Sequence, residues 1–350
     1  MWRPPSLQHL EALSDDVGIL QHAVYDVPNR LEGYCTDDVA RAFMVALAAS
    51  RHPAYRERAS ALGGTYLAFL FHAQRPDGQL RNFMSYARSW LDECGTEDSN
   101  GRAIWALGFG MRFAARTEWR SLCATMLERA LPQVAEMRFV RSRAYAALGL
   151  CHARSVAGAR APAVDAALVA IGDDLRARRD AHAAAGWNWF ENEMTYDNAR
   201  LSEALLRIGM TLQRPQDVAA GLETLAFYES IVVQNGCFVP IGNAGWYRRS
   251  GTRAIYAQQP LEAASFGDAA VAAYEATGDA RYHDLADLGR EWFLGRNTRE
   301  VVMAPGNGGC YDGLEETGPN ENMGAESTLA YLWSAFSQAK SEGGVTRIAR

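Results

Sequence analysis

Two adjacent aspartates, Asp37 and Asp38, open an otherwise apolar stretch, GYCTDDVARAFMVAL (33–47). A second acidic pair, Glu97 and Asp98, opens TEDSNGRAIWALG, and Asp197 stands in MTYDNARL. Glu262 in QQPLEAA and Glu326 in NENMGAESTLAYL fall within the first turn of two further segments. One acid at a helix start satisfies the exposed N–H groups there and complements the helix dipole. A second acid beside it exceeds what a cap needs. Two carboxylates in one pocket push their pKa values apart, which makes an acid and a base from like groups. Glycosidic bond cleavage has that requirement: one carboxyl protonates the leaving oxygen, and the other activates water or attacks. Asp37, Asp38, Glu97 and Asp98 are the first candidates for the catalytic pair, and Glu193 and Asp197 the next.

Around these acids lie residues suited to holding a sugar. Arg41 and Arg102 each follow an acid by four residues and Arg200 follows Tyr196 at the same spacing, where they would orient carboxylates or grip hydroxyls. Pairs such as Asp37 with Arg41 contribute only about 0.2–0.5 kcal/mol to a helix, so stability alone is a weak reason for them. Tyr34 and Tyr196 precede two of the acids. Trp187 and Trp189 alternate with polar residues in GWNWFENEMTYDN, and Trp246 stands in a Gly-rich stretch. With Glu262, Glu321 and Glu326 they complete the expected substrate-binding set. Aromatic faces stack on the apolar face of a pyranose while acids and arginines bond its hydroxyls.

The elements that must position these residues repeat along the chain. Segments 37–50, 98–114, 141–153, 196–212, 261–276 and 323–339 are Ala-rich and apolar on nearly every face, which predicts helices buried all round. Between them, 57–74, 118–137, 161–181, 215–234 and 279–296 are amphipathic at helical period, and 6–24 supplies a sixth such helix. Six buried helices alternating with six half-exposed ones predict an all-α fold, an (α/α)6 toroid spanning 1–350 as one domain. A small β-hairpin is expected within 236–251. Connections into the buried helices (75–97, 182–195, 235–260, 297–322) are long and rich in aromatics, Gly and Asn. Long structured loops are commonly functional.

Composition bounds the rest. The chain has 350 residues, 48% of them hydrophobic, and a formal net charge of −6. It can bury a large core and offers no basic field for nucleic acid. MWRPPSLQHLEALSDD has no apolar run after its arginine, and no stretch approaches a membrane span, so neither a leader nor a membrane partner is expected. Six scattered cysteines without a C-x-x-C pair read as reduced thiols in a cytoplasm. GNGG (306–309) lacks the lysine of a phosphate loop, Cys151-His152 lies mid-helix, and no loop has calcium-ligand spacing. No metal or cofactor is expected, and oligomeric state is not legible.

The alternating hairpins, with acids at the starts of buried helices, resemble the six-hairpin glycosidase superfamily over almost the whole chain. The pair Asp37-Asp38 is similar to the paired aspartates of bacterial and fungal α-1,6-mannanases. GYCTDDVAR, TEDSNGRAIWALG, MTYDNARL, QQPLEAA and NENMGAESTLAYL also resemble bacterial glycosidase-like proteins associated with glycosyltransferases. The resemblance implies a glycoside hydrolase-like enzyme acting on an oligosaccharide by a two-carboxylate, inverting mechanism. A polysaccharide lyase, for which Tyr34, Tyr196, Arg41 and Arg102 would serve, is one alternative. A glycoside phosphorylase and a non-catalytic carbohydrate-binding toroid are others. Sugar epimerases on this fold use histidines at the central mouth. Of the seven histidines here only His22 is expected near that face, which argues against an epimerase.

Overall fold

The computed structural model describes residues 4–156, 158 and 161–337. Among them are twelve α-helices and five two-stranded antiparallel sheets. The chain divides into two compact units, Gln8–Ile171 and Gly172–Arg350 with Met1–Leu7.

The first unit holds α1 (Gln8–Leu13), α2 (Thr36–Ala49), α3 (Arg56–Ala73), α4 (Glu97–Phe113), α5 (Thr117–Val134), α6 (Val140–Arg154) and the start of α7 (Ala161–His182). In α2 every residue from Val39 to Ala49 except Arg41 is buried, and in α4 the whole run Ser99–Met111 is. By contrast α3 buries one stripe, Ala59, Gly63, Tyr66, Leu67 and Leu70. That is the 3.6-residue period of a helix with one wet face. α4 and α6 lie side by side and parallel: Gly101 faces Ser142 and Gly108 faces Gly149, so partner numbers rise together. A Cβ on Gly108 would stand 1.9 Å from the Gly149 carbonyl oxygen, so only glycine allows this approach.

The second unit holds α8 (Ala199–Leu212), α9 (Pro215–Val232), α10 (Pro260–Thr277), α11 (Arg281–Phe293) and α12 (Ala325–Ser337). α8 and α9 are antiparallel, with Ser202 against Thr224, Leu206 against Gly221 and Gly209 against Val218. α8 and α10 are parallel: Arg200 meets Asp268 and Arg207 meets Glu275. Stops and starts follow local chemistry. Gln213 and Gly278 close α8 and α10 in left-handed conformation, and Pro215 and Pro260 stand at the first turns of α9 and α10. The expected buried helix 323–339 is α12; its positions 338–339 lie outside the described residues.

Two expectations need correction. The first helix covers Gln8–Leu13 and not 6–24. The Asp15 carboxylate accepts the backbone N–H groups of Val17 and Gly18, a local turn that competes with helix continuation. Beyond that turn the chain forms the hairpin of β1 (Ala23–Val24) and β2 (Val27–Pro28). The hairpin expected within 236–251 also forms differently. Its turn is Asn235-Gly236, both left-handed at φ +51° and +74°, joining β6 (Val233–Gln234) to β7 (Cys237–Phe238). Asn-Gly is the usual dipeptide for such a turn. β8 (Tyr247–Arg248) pairs instead with β5 (Glu193–Met194). The remaining sheets join β3 (Tyr34–Cys35) to β4 (Phe83–Met84), and β9 (Gly313–Glu315) to β10 (Gly318–Asn320). Segments 14–35, 74–96, 183–198, 233–259 and 294–324, which carry these strands, all lead into buried helices, while 50–55, 114–116, 213–214 and 278–280 leave them.

Candidate active site

In the first unit, β3 delivers the chain into α2. Cys35 caps the helix, its sulfur accepting the Asp38 N–H, and Asp37 and Asp38 occupy the first turn. The Asn82 carbonyl, just ahead of β4, accepts the Thr36 N–H at 2.8 Å, and its side-chain oxygen accepts that of Asp37. Neither aspartate is the cap, so both carboxylates are available for other work. Asp37 Oδ1 lies 2.8 Å from Arg102 Nε, and its Oδ2 lies 3.3 Å from Arg41 Nη2. Arg41 Nη2 also donates to Asp38 Oδ1 at 2.8 Å, and the Cys35 thiol donates to Asp38 Oδ2. Burial, then the two aspartates, push the Cys35 thiol well up, so it stays a proton-bearing donor. The Asp37 side chain is 27% exposed and that of Asp38 only 8%. Asp37 is therefore the acid that meets solvent, and Asp38 fixes the arginine behind it.

Arg102, on α4, is itself held. Its Nη2 donates to the Tyr145 hydroxyl at 2.8 Å, and its guanidinium carbon lies 4.1 Å from the Tyr145 ring centroid. Trp105 stacks on that ring at an interplanar angle of 6°. Asp98, half-buried one turn before Arg102, accepts the Ser142 hydroxyl. Three helices of the first unit thus supply one cluster: Asp37, Asp38 and Arg41 from α2, Asp98 and Arg102 from α4, and Ser142 and Tyr145 from α6.

The second unit gathers acids differently. Glu262, in the first turn of α10 and 1% exposed, accepts the backbone N–H groups of Asp197 and Asn198, the Asn198 side-chain amide, and the Tyr228 hydroxyl at 3.0 Å. Burial, and then the Asp197 carboxylate, push its pKa up to about 7. Burial and Glu262 likewise raise that of Tyr228. Asp197 is in left-handed conformation at φ +48°, a strained position for a residue with a side chain. Arg200 Nη1 donates to Glu203 at 2.6 Å and to Asp268 at 2.7 Å, and its Nε lies 3.5 Å from Asp197. Trp333 donates its indole N–H to Asp268 at 2.6 Å. All these groups except Trp333 are nearly solvent-free.

Of the sequence-derived set, the structure brings together Asp37, Asp38, Arg41, Asp98 and Arg102 in one unit, and Asp197, Arg200 and Glu262 in the other. Others are occupied elsewhere. Glu97 accepts the N–H groups of Arg138 and Phe139 and so anchors the start of α6. Glu193 pairs across the β5–β8 ladder with Arg248. Tyr34 is 1% exposed, donates to Asp15, and is pushed up in pKa by burial and that bond. Trp187 and Trp189, expected to offer open faces, are 3% and 0% exposed. Trp187 packs edge-on against Phe227 and Tyr247, and Trp189 stacks on Tyr228. Their alternation with polar residues places them inward. Trp246, Tyr196 and Glu326 are half-buried, and Glu321 is exposed. Sequence reasoning does not find Ser142, Tyr145 or Tyr228 as partners. Ser142 and Tyr145 flank Arg143 of the third repeat, the one signal that points to that turn. Among the described residues no cluster of His, Cys, Asp or Glu is placed to hold a metal ion, and no helix is long and apolar enough to cross a membrane.

No family model matches the sequence, and no curated protein matches it. Solved structures do match the fold. A sugar epimerase from a ruminal bacterium aligns over 96% of both chains at a TM-score of 0.72 and 12% identity. The cellobiose 2-epimerase of Bacillus thermoamylovorans also aligns over 96% of both, at 0.71 and 11%. The GH76 α-mannanase of Bacteroides thetaiotaomicron aligns over 87% of this chain and 85% of its own, at 0.61 and 12%. The fold class is all-α, the (α/α)6 toroid with small antiparallel hairpins.

Proposed function

We propose that this chain is a carbohydrate-active enzyme, a glycoside hydrolase-like toroid that cleaves an oligosaccharide with Asp37 as base and Asp98 as proton donor. The observation that carries this reading is Asp37 itself: a first-turn carboxylate that reaches solvent while two guanidinium groups fix both of its oxygens. An ionised carboxylate so held accepts a proton from an attacking water. Arg41 and Arg102 set its direction, Asp38 sets Arg41, and Tyr145 sets Arg102. Asp98 lies one helical turn before Arg102 and would protonate the departing glycosidic oxygen. With separate residues for water activation and leaving-group protonation, the product anomer is inverted. The sugar-acting names of the similarly folded structures support the substrate class.

A second reading is sugar epimerisation. It is favoured by the two epimerase structures, which align over more of both chains than the mannanase does. Against it, no histidine lies in the first turn of α2, α4 or α6, and His22 sits exposed in the loop before α2. One assay panel separates the two. Reducing-end release from α-1,6-manno- and cello-oligosaccharides supports hydrolysis. New epimer signals in the NMR spectrum of mannose, glucose or cellobiose, without release, replace it with epimerisation.

A further inference from the structure

Asp98 is not spent on its own helix start. Thr96 is the cap of α4, its hydroxyl accepting the Ser99 N–H at 3.2 Å. The Asp98 carboxylate accepts, at Oδ1, the hydroxyl of Ser142 on the neighbouring α6. Three features hold that serine in place. Glu97 accepts the Arg138 and Phe139 N–H groups at 2.7 and 3.0 Å, which ties the start of α6 to the first turn of α4. Gly101 lets the two backbones close at Ser142, because a Cβ there would stand 2.6 Å from the Ser142 carbonyl oxygen. Tyr145, one turn further along α6, bonds Arg102, one turn further along α4, at 2.8 Å. The parallel helices therefore present two matched pairs, Ser142 with Asp98 and Tyr145 with Arg102. Ser142 is 0% exposed while Asp98 is half-buried, so the hydroxyl reaches the carboxylate from the protein side.

We propose that Ser142 is the positioning residue of the acid, fixing Asp98 Oδ1 and stabilising the negative charge that develops on Asp98 during cleavage. The inference rests on the glycosidase-like reading above and deepens it by giving α6 a part in proton delivery. As the glycosidic C–O bond breaks, the Asp98 proton passes to the leaving oxygen, which keeps the bonding electron pair. Water adds at the anomeric carbon and gives its proton to Asp37. The Ser142 hydroxyl keeps its own proton throughout. Its bond to Asp98 strengthens as the neutral acid becomes a carboxylate, because a hydrogen bond to an ionised acceptor is roughly twice as strong as one to a neutral group. A bond that is stronger in the transition state than with bound substrate lowers the barrier. The donor is already in place, so no reorganisation is needed as the charge appears. The gain scales with how much the leaving oxygen needs a proton, and a group that departs as a stable anion needs little.

The test compares leaving groups. Wild type, Ser142→Ala and Asp98→Asn are assayed on α-1,6-manno- and cello-oligosaccharides, whose sugar leaving groups need a proton. They are also assayed on dinitrophenyl glycosides of the same sugars, whose phenolate departs without one. Asp98→Asn is expected to lose roughly 10²–10⁴-fold in kcat on the oligosaccharides, the contribution of a general acid, and far less on the dinitrophenyl glycosides. Ser142→Ala should lose about tenfold in kcat on the oligosaccharides, the weight of one hydrogen bond, with a smaller loss on the dinitrophenyl glycosides and KM close to wild type. A serine that only supports the fold would lower turnover of both substrates alike, and that result overturns the proposal. So does a Ser142→Ala variant equal to wild type on both substrates while Asp98→Asn shows the split; the hydrolytic reading then stands without it. If Asp98→Asn shows no split, the acid is another residue and the proposal falls with that assignment. Absence of turnover by the wild type on every one of these glycosides removes the hydrolytic reading and the proposal together. Ser142→Cys, which keeps a weaker donor, is expected to fall between wild type and Ser142→Ala, and it carries the comparison if Ser142→Ala melts below the assay temperature.

Discussion

The same local signature, an acid followed by an arginine at the start of a buried helix, occurs in both units and ends in opposite surroundings. In DDVAR the acid looks outward: Asp37 keeps about a quarter of its side chain in solvent while Arg41 and Arg102 hold it. In YDNAR it looks inward: Asp197 is buried, and Arg200 is enclosed by Glu203 and Asp268. The neighbouring seams differ too. α4 and α6 meet through glycines at backbone contact, whereas α8 and α10 meet through ion pairs. A charge that can exchange protons with a substrate must have access to it. A charge sealed among partners mainly fixes which helices pack together, and removing one partner is costly. Sequence similarity between the repeats therefore does not imply equal roles.

The sharpest way to break this contrast is to remove the enclosed arginine. Arg200→Met takes from the buried Glu203 and Asp268 the arginine they share, with Arg207 remaining 3.8 Å from Glu203. Losses of about 3–5 kcal/mol are typical of that change, which corresponds to a melting temperature lower by on the order of 10 °C in calorimetry. A variant melting like the wild type would show that the second cluster is not a packing device. Next is the glycine seam. Gly149→Ala would place a Cβ 2.3 Å from the Ile104 carbonyl oxygen. The two helices must move apart, at a cost of about 1–3 kcal/mol readable in the same experiment.

A third comparison uses pH. Glu262 has its pKa raised to about 7 from an ordinary 4.5, so the folded protein favours its neutral form. Stability from this group is fully present below pH 4.5 and is lost as pH rises through 7. The upper bound of the loss is about 3 kcal/mol, from 1.36 kcal/mol per pH unit. Melting temperatures at about pH 5 and about pH 8 should fall further apart in the wild type than in Glu262→Gln, which cannot ionise. Equal pH dependence in the two proteins would contradict the assignment. The smallest effect is expected at Glu193. Its partner Arg248 is exposed, and Glu193→Gln should leave the melting temperature unchanged.

The legibility of each feature in the residues depends on what its pattern reports. Uniform apolarity over 37–50 or 98–114 marks a buried helix directly, and the amphipathic period of 57–74 marks its half-exposed neighbour. Those signals are local, and α2, α3 and α4 fall where they predict. The first helix is overextended because apolar spacing in 6–24 says nothing about Asp15 bonding the backbone after it. Trp187 and Trp189 read as pocket residues because alternation with polar residues cannot tell which side of a loop is inward. The roles of the acids are least legible. Asp37 and Asp197 look alike in sequence, and spacing pairs Arg102 with Asp98 but not with Asp37 on another helix. Only the packing of α2 against α4 brings that arginine to the outward acid.

The central claim is that chemistry belongs to the outward cluster of the first unit. Its most direct test is reducing-sugar release by wild type and Asp37→Asn on the oligosaccharide that the wild type cleaves, with melting temperature and sugar affinity measured on the same samples. The account predicts turnover lower by roughly 10²–10⁴-fold, the contribution of a general base, with sugar affinity close to wild type and a melting temperature still above the assay temperature, since Arg102 loses its ion pair with Asp37 but keeps its bond to Tyr145. Turnover within a fewfold of wild type in Asp37→Asn would contradict it.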